Sequence, residues 1–263
     1  MFESASRKYP AALGDAFGFG SHVAWMLGHA DTARDRIRQA IARATALNSP
    51  FELAYTQFLA AALQLFLREF ANAKAAAAAA VALSNEHGFQ QYAAGSRVFL
   101  GLSEAVLSHP GDGVALIRLG LDGLDESGSK NAMTLYLSGL AVAQSLDGKV
   151  PEALATIEEA LQVNPEELAW RPDAIRIRGE LQLRLGRVDA AEADFRDAIA
   201  LAHKIGAKAW ELRAAMSLVP MLRKRGDCVE ARDLLAPLYA SFTEGFDTID
   251  LKEAKALLEE LDE

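Results

Sequence analysis

The side chains that could do chemistry in this 263-residue chain are few and scattered. Its five histidines are His22, His29, His87, His109 and His203. None pairs with another histidine or a carboxylate at the one-helix spacing that binds zinc. Cys228 is the one cysteine, so neither a disulfide frame nor a cysteine metal cluster can form within the chain. No Gly-Lys-Ser/Thr follows Gly14, Gly18 and Gly20, so these glycines do not read as a phosphate loop. A nucleophile elbow is also missing. Glu158-Glu159 and Glu166-Glu167 read as solvated carboxylates rather than an acid–base pair. The expectation is a chain with no catalytic residue, no cofactor and no metal.

Ordered charge is more informative. Arg176, Glu180 and Arg184 stand four residues apart, which places them in a ladder on one side of a helix. Arg97 and Glu104 take a comparable place earlier in the chain, as do Gln57 and Gln64, and Arg213 with Lys224 later. One reading is a groove that takes an acidic or extended peptide. The other is a solvated face with internal salt bridges, each worth about 0–1 kcal/mol. Residue types leave both open. Tyr92, Tyr136 and Trp170 mark a further alternative, a small molecule held inside the protein. Tyr55, Phe58, Leu59, Ala62 and Phe66 share a helical face and read as core before they read as an apolar groove.

These residues sit on elements that repeat. At Ala191, Phe195 and Ala198 a small, a large and a small residue fall on one helix face. The small residues allow a neighbouring helix to approach and the aromatic fills the gap between them. The same triplet is seen at Ala33, Ile37, Ala40, at Ala73, Ala77, Ala80, and at Gly113, Ile117, Gly120. It returns at Ala153, Ile157, Ala160 and ends as Ala231, Leu235, Leu238. Glycine at 113 and 120 predicts an especially close approach or a weaker helix. A spacing of about 40 residues between triplets is the mark of a solenoid.

Composition agrees. Ala, Leu, Glu and Arg favour helix, and alternating β-branched runs are absent, so an all-α chain is predicted. The net charge of −9 argues against a nucleic-acid partner. The longest apolar run, Ala75 to Leu83, is too short to span a bilayer. Met1 to Ser6 lacks the basic-then-apolar order of a signal peptide, so a soluble, cytoplasmic protein is expected, with no membrane partner.

Turn residues divide the chain into a single solenoid domain over 1–263. Its helix pairs span about 11–48, 51–87, 89–126, 130–164, 172–205 and 208–243, with a capping helix at 249–262. Residues 165–171 read as an irregular insert, with a single helical turn carrying Trp170. Pro220 falls inside a helix and should kink it. Phe17, Phe19 and Trp25 on an uncapped first repeat make a second copy of the chain a candidate partner.

The spacing resembles the tetratricopeptide repeat (TPR), and with it a right-handed α-α superhelix. A narrower resemblance lies in the last third. Ile177-Arg178-Gly179-Glu180-Leu181 is followed by Ala209-Trp210-Glu211-Leu212-Arg213-Ala214-Ala215 and by Glu230-Ala231-Arg232-Asp233-Leu234-Leu235-Ala236-Pro237. Phe242-Thr243-Glu244-Gly245-Phe246-Asp247-Thr248 and Asp250-Leu251-Lys252-Glu253-Ala254 complete the series. It is similar to the C-terminal repeat region of bacterial class III adenylate or guanylate cyclase–ATPase proteins and related signal-transduction ATPase regulators. That resemblance implies a sensor or partner-binding region acting on upstream domains. The Walker lysine motif and any cyclase segment are absent here, so it implies no enzymatic activity for these residues.

Overall fold

The computed structural model describes the backbone of residues 10–261 and the side chains from residue 17 onward. The signal-peptide reading of residues 1–6, the first residues of the chain and the last residue of the predicted cap lie outside that range. Among the described residues the regular structure is helical throughout. The helices are α1 (Pro10–Met26), α2 (Ala30–Leu47), α3 (Pro50–Phe66), α4 (Phe70–His87), α5 (Gln90–Leu107), α6 (Pro110–Glu126) and α7 (Met133–Leu146). They continue as α8 (Val150–Val163), α9 (Arg171–Arg184), α10 (Val188–Ile205), α11 (Lys208–Arg225), α12 (Cys228–Ala240) and α13 (Ile249–Glu260). They follow one another as antiparallel pairs, with α13 left over as a cap. Among the described residues no helix is long and apolar enough to cross a membrane.

Local chemistry sets the boundaries. Pro occupies the first turn of α3, α6, α8 and α9, where its missing N–H costs nothing. The Ser49 hydroxyl accepts from the Glu52 N–H at the start of α3, and Thr248 does the same for Leu251 at the start of α13. Gly88 and Gly206 close α4 and α10 with φ of 76° and 71°, a left-handed conformation that a Cβ would strain.

The repeated triplets form the contact between the two helices of each pair. All their members are buried except Leu238, which is half-buried. At Gly113 and Gly120 the two readings separate. A Cβ on Gly113 would lie 2.5 Å from the Gly101 carbonyl oxygen, and one on Gly120 would lie 2.7 Å from that of Ala94. These glycines mark close backbone approach of α6 to α5.

Two connections have local causes. Residues 165–166 and 168–170 form turns, the second of them holding Trp170, and α9 begins at Arg171. Pro165 sits where the chain leaves α8, and Arg171 reaches back to the Leu161 carbonyl at 2.7 Å. The fourth pair starts at Met133, because Ala132 is left-handed (φ 59°) and its N–H donates to the Glu167 carboxylate at 2.9 Å. Helix α11 continues through Pro220 to Arg225.

The chain divides into two compact units, Met1–Trp25 with Ala30–Lys130, and Met26–His29 with Asn131–Glu263. Within the first unit α3 lies beside α5, each leading its own pair. Within the second, α7 lies beside α9, α9 beside α11 and α11 beside α13. The second helices of each pair, α8, α10 and α12, pack against these leading helices rather than against one another, and α10 and α12 are bridged only at the side-chain level, by the Arg196–Glu230 ion pair at 2.6 Å among the described residues. The leading helices therefore form an inner row, with the second helices spread behind it. The core of the second unit runs through Phe195, Leu212, Leu218, Leu222, Leu235 and Leu251. Helix α13 buries Leu251 and Ala254 and leaves Lys252, Glu253, Lys255 and Glu259 exposed, as a polar end cap requires.

Candidate functional site

The inner row of the second unit gathers the largest set of the predicted groove residues. Steps of 38 and then 40 residues place Leu146, Arg184 and Lys224 at one equivalent position on α7, α9 and α11. All three are exposed. One turn before them are Val142, Glu180 and Pro220, and two turns further Leu135, Asp173 and Arg213. The row is thus apolar on α7 and charged on α9 and α11.

Its charges are not equally available. Arg176 donates to Asp173 at 2.7 Å and to Glu180 at 2.5 Å. Burial works to lower its pKa, but the two carboxylates outweigh this and raise it, so its charge is locked in place. The Ser217 hydroxyl on α11 also donates to Glu180, at 3.2 Å. Arg213 lies 5.3 Å from the Trp210 ring and pairs with Asp250 of α13 at 2.8 Å. Arg184 meets neutral groups only, the Ser145 carbonyl at 3.0 Å and hydroxyl at 2.7 Å. Among the described residues neither Arg184 nor Lys224 meets a carboxylate.

The predicted residues of the first unit sit differently. Arg97 donates to Asn85 of α4 at 3.0 Å. Glu104 pairs with Lys74 of α4, whose hydrogen bond holds the carboxyl below the usual glutamate range. Gln64 has a buried amide oxygen with no hydrogen-bond partner, and Gln57 is half-buried. Arg97 and Glu104 therefore serve the seam between α5 and α4. Of the aromatic residues, Tyr92 sits 5.5 Å from Phe51, 5.3 Å from Tyr55 and 5.8 Å from Phe58. Tyr136 is buried in α7, and Trp170 precedes α9. Among the described residues no group of three or more His, Cys, Asp or Glu side chains could hold a metal ion.

Sequence reasoning missed Asp173, Ser145, Ser217 and Asp250. Asp173 carried a signal, three residues before Arg176. The others come from different helices and carried none. Of the five histidines, His22 is buried in the first unit. His22 donates from Nε2 to the Leu59 carbonyl at 2.9 Å, and burial pushes its pKa down to about 4.

Comparison with known proteins adds the following. No family model matches the chain. An uncharacterized protein of Rhizobium meliloti (strain 1021) is 32% identical over 138 residues, covering 51% of this chain and 13% of that protein. The chain thus spans a small part of the curated relative's length. Among solved structures, NprR in complex with its cognate peptide NprX superposes with a TM-score of 0.64 at 14% identity. That match covers 98% of this chain and 77% of NprR. A Rap protein complexed with competence and sporulation factor gives 0.64 at 12% identity, covering 96% and 75%. The TPR-like repeats of a Podosopora anserina protein give 0.51 at 17%, covering 73% and 94%. The fold is that of a TPR-like α-α solenoid. At these identities the likeness carries the fold alone, and the charges of the inner row are this chain's own.

Proposed function

We propose that this chain is a non-enzymatic regulatory scaffold that binds a protein or peptide segment along the inner row of its second unit. We further propose that it is the sensor or partner-binding end of a bacterial signalling protein with a cyclase or ATPase domain. Its own upstream domains and a second copy are then partners to test beside a separate peptide.

The observation that carries the binding reading is the row itself. Leu146, Arg184 and Lys224 occupy one repeated position on three adjacent helices and are exposed, and Arg184 bonds only the neutral carbonyl and hydroxyl of Ser145. An exposed cation that no carboxylate neutralises within the fold is available to a partner of opposite charge. Support comes from two solved structures of this fold whose names record a bound peptide or factor. The match to a small part of a longer protein supports placing such a segment within a larger chain.

Selection of peptides from a random display library on the purified chain tests the binding reading. Selected peptides should lose at least tenfold in affinity on Val142→Asp, with little change in melting temperature, because Val142 is only half-buried. A selection that yields no binder, or binders indifferent to changes along the row, refutes it. The signalling reading predicts a native product in the host well above the 28.3 kDa of this chain. A band at 28.3 kDa would overturn it.

A further inference from the structure

Resting on the groove reading, we infer the chemistry of its occupant. It is an extended peptide with an apolar residue over Leu146 and two acidic residues, spaced three apart, at Arg184 and Lys224.

The acidic character follows from which cations are already neutralised. Arg176 is held between Asp173 and Glu180, and Arg213 is held by Asp250. Their fields are largely cancelled. Arg184 is bound only to a serine carbonyl and hydroxyl, and Lys224 is exposed one helix further along. In a chain of net charge −9, two adjacent cations without carboxylates are a local reversal of sign. Such a reversal favours an acidic partner at that place and no other along the row. Glu180, one turn earlier on α9, keeps the incoming carboxylate at the Arg184 end.

The spacing follows from geometry. Neighbouring packed helices lie about 8–10 Å apart. An extended chain advances about 3.3 Å per residue. One helix step is then about three residues, and α7 to α11 is about six. Leu146, exposed at the same position on α7, supplies the apolar contact one step before the first acid. The chain direction is set by neither argument, so both orders are tested.

Fluorescence polarisation of the whole chain with labelled synthetic heptapeptides is the test. The probe is Leu-Ser-Ser-Glu-Ser-Ser-Glu, together with its reversed order, its glutamine form and its lysine form. The chain should bind one order of the glutamate peptide at least tenfold better than the glutamine form, with the preference shrinking at high salt. The double variant Arg184→Glu, Lys224→Glu should reverse the preference toward the lysine peptide, which no loss of folding can produce. Equal binding of the glutamate and glutamine forms overturns the inference, as does a double variant that keeps its glutamate preference. If library-selected peptides bind and none of these probes does, this inference fails and the groove stands. If neither binds, both fail.

Discussion

Replacing glycine by alanine should change stability in opposite directions at two helical positions of the first unit. Inside a helix the replacement ordinarily stabilises by about 1 kcal/mol, since alanine loses less backbone freedom on folding. At Gly20 the new Cβ would meet only the Arg36 side chain, at 3.5 and 3.7 Å, which is ordinary contact. Gly20→Ala should therefore gain about 0.5–1 kcal/mol. At Gly113 the Cβ would lie 2.5 Å from the Gly101 oxygen, 2.6 Å from the Ala105 Cβ and 2.7 Å from the Ala105 nitrogen. Two of these are backbone atoms of a helix and cannot swing aside. Helices α5 and α6 must separate by several tenths of an ångström, opening gaps around the fully buried Ile117 and the nearly buried Val98. Overpacking of this kind costs about 1–3 kcal/mol or more, which exceeds the propensity gain. For a chain of this size each kcal/mol moves the melting temperature by about 2–4 °C. Thermal melts of the two variants should lie on either side of the wild type. A Gly113→Ala protein as stable as the wild type would refute the close-approach account and restore the weaker-helix reading of the two glycines.

Other perturbations have equally definite signs. His22 is buried neutral with a pKa of about 4, against an ordinary 6.5, so its stabilising effect is complete above pH 6.5 and is lost as the pH falls toward 4. The loss is about 3 kcal/mol over that window, and His22→Phe should flatten it in denaturant titrations read at several pH values. Hydrogen bonds from Arg196 and Arg225 hold the Glu192 carboxyl below the usual glutamate range. Its contribution is therefore present above that range and lost as the pH falls through the depressed value, and Glu192→Gln should remove this acid sensitivity while leaving the His22 component. Asp194 is nearly buried and takes both Nε and Nη2 of Arg178, so Asp194→Ala leaves a partly exposed guanidinium without its partner. The full cost of breaking a buried pair is reduced by that exposure to about 1–2 kcal/mol, measurable as a lowered denaturation midpoint. Thr248→Ala removes the cap of α13 and should cost about 1 kcal/mol, with faster hydrogen exchange at the N–H of Leu251.

The fold was legible because packing between paired helices is a local demand made again in every repeat. Each pair needs small residues where two backbones meet and a large one between them, so the triplets return about every 40 residues and reveal the architecture. The insert at 165–170 falls in the one step of that rhythm that is 38 residues and was legible as a break in it. The proposed groove was legible only where its chemistry stayed on one helix, as with Arg176 and Glu180. A strict register would have said more. Carried forward by 40 and 38 residues, Arg97 corresponds to Ile175, not to Arg176, so the two arginines face different neighbours. One lies in the seam with α4 and the other in the inner row. Asp250, Ser145 and Ser217 reach their partners 37 or 39 residues away, and no local pattern announces such pairs. The asymmetry has a physical source. Residues that hold one helix to its pair face the same environment in every repeat and so recur. Residues that meet a partner face a different part of that partner on each helix. Leu146, Arg184 and Lys224 share an exposed position yet differ in type, as the proposed binding row requires of residues that meet different parts of one partner.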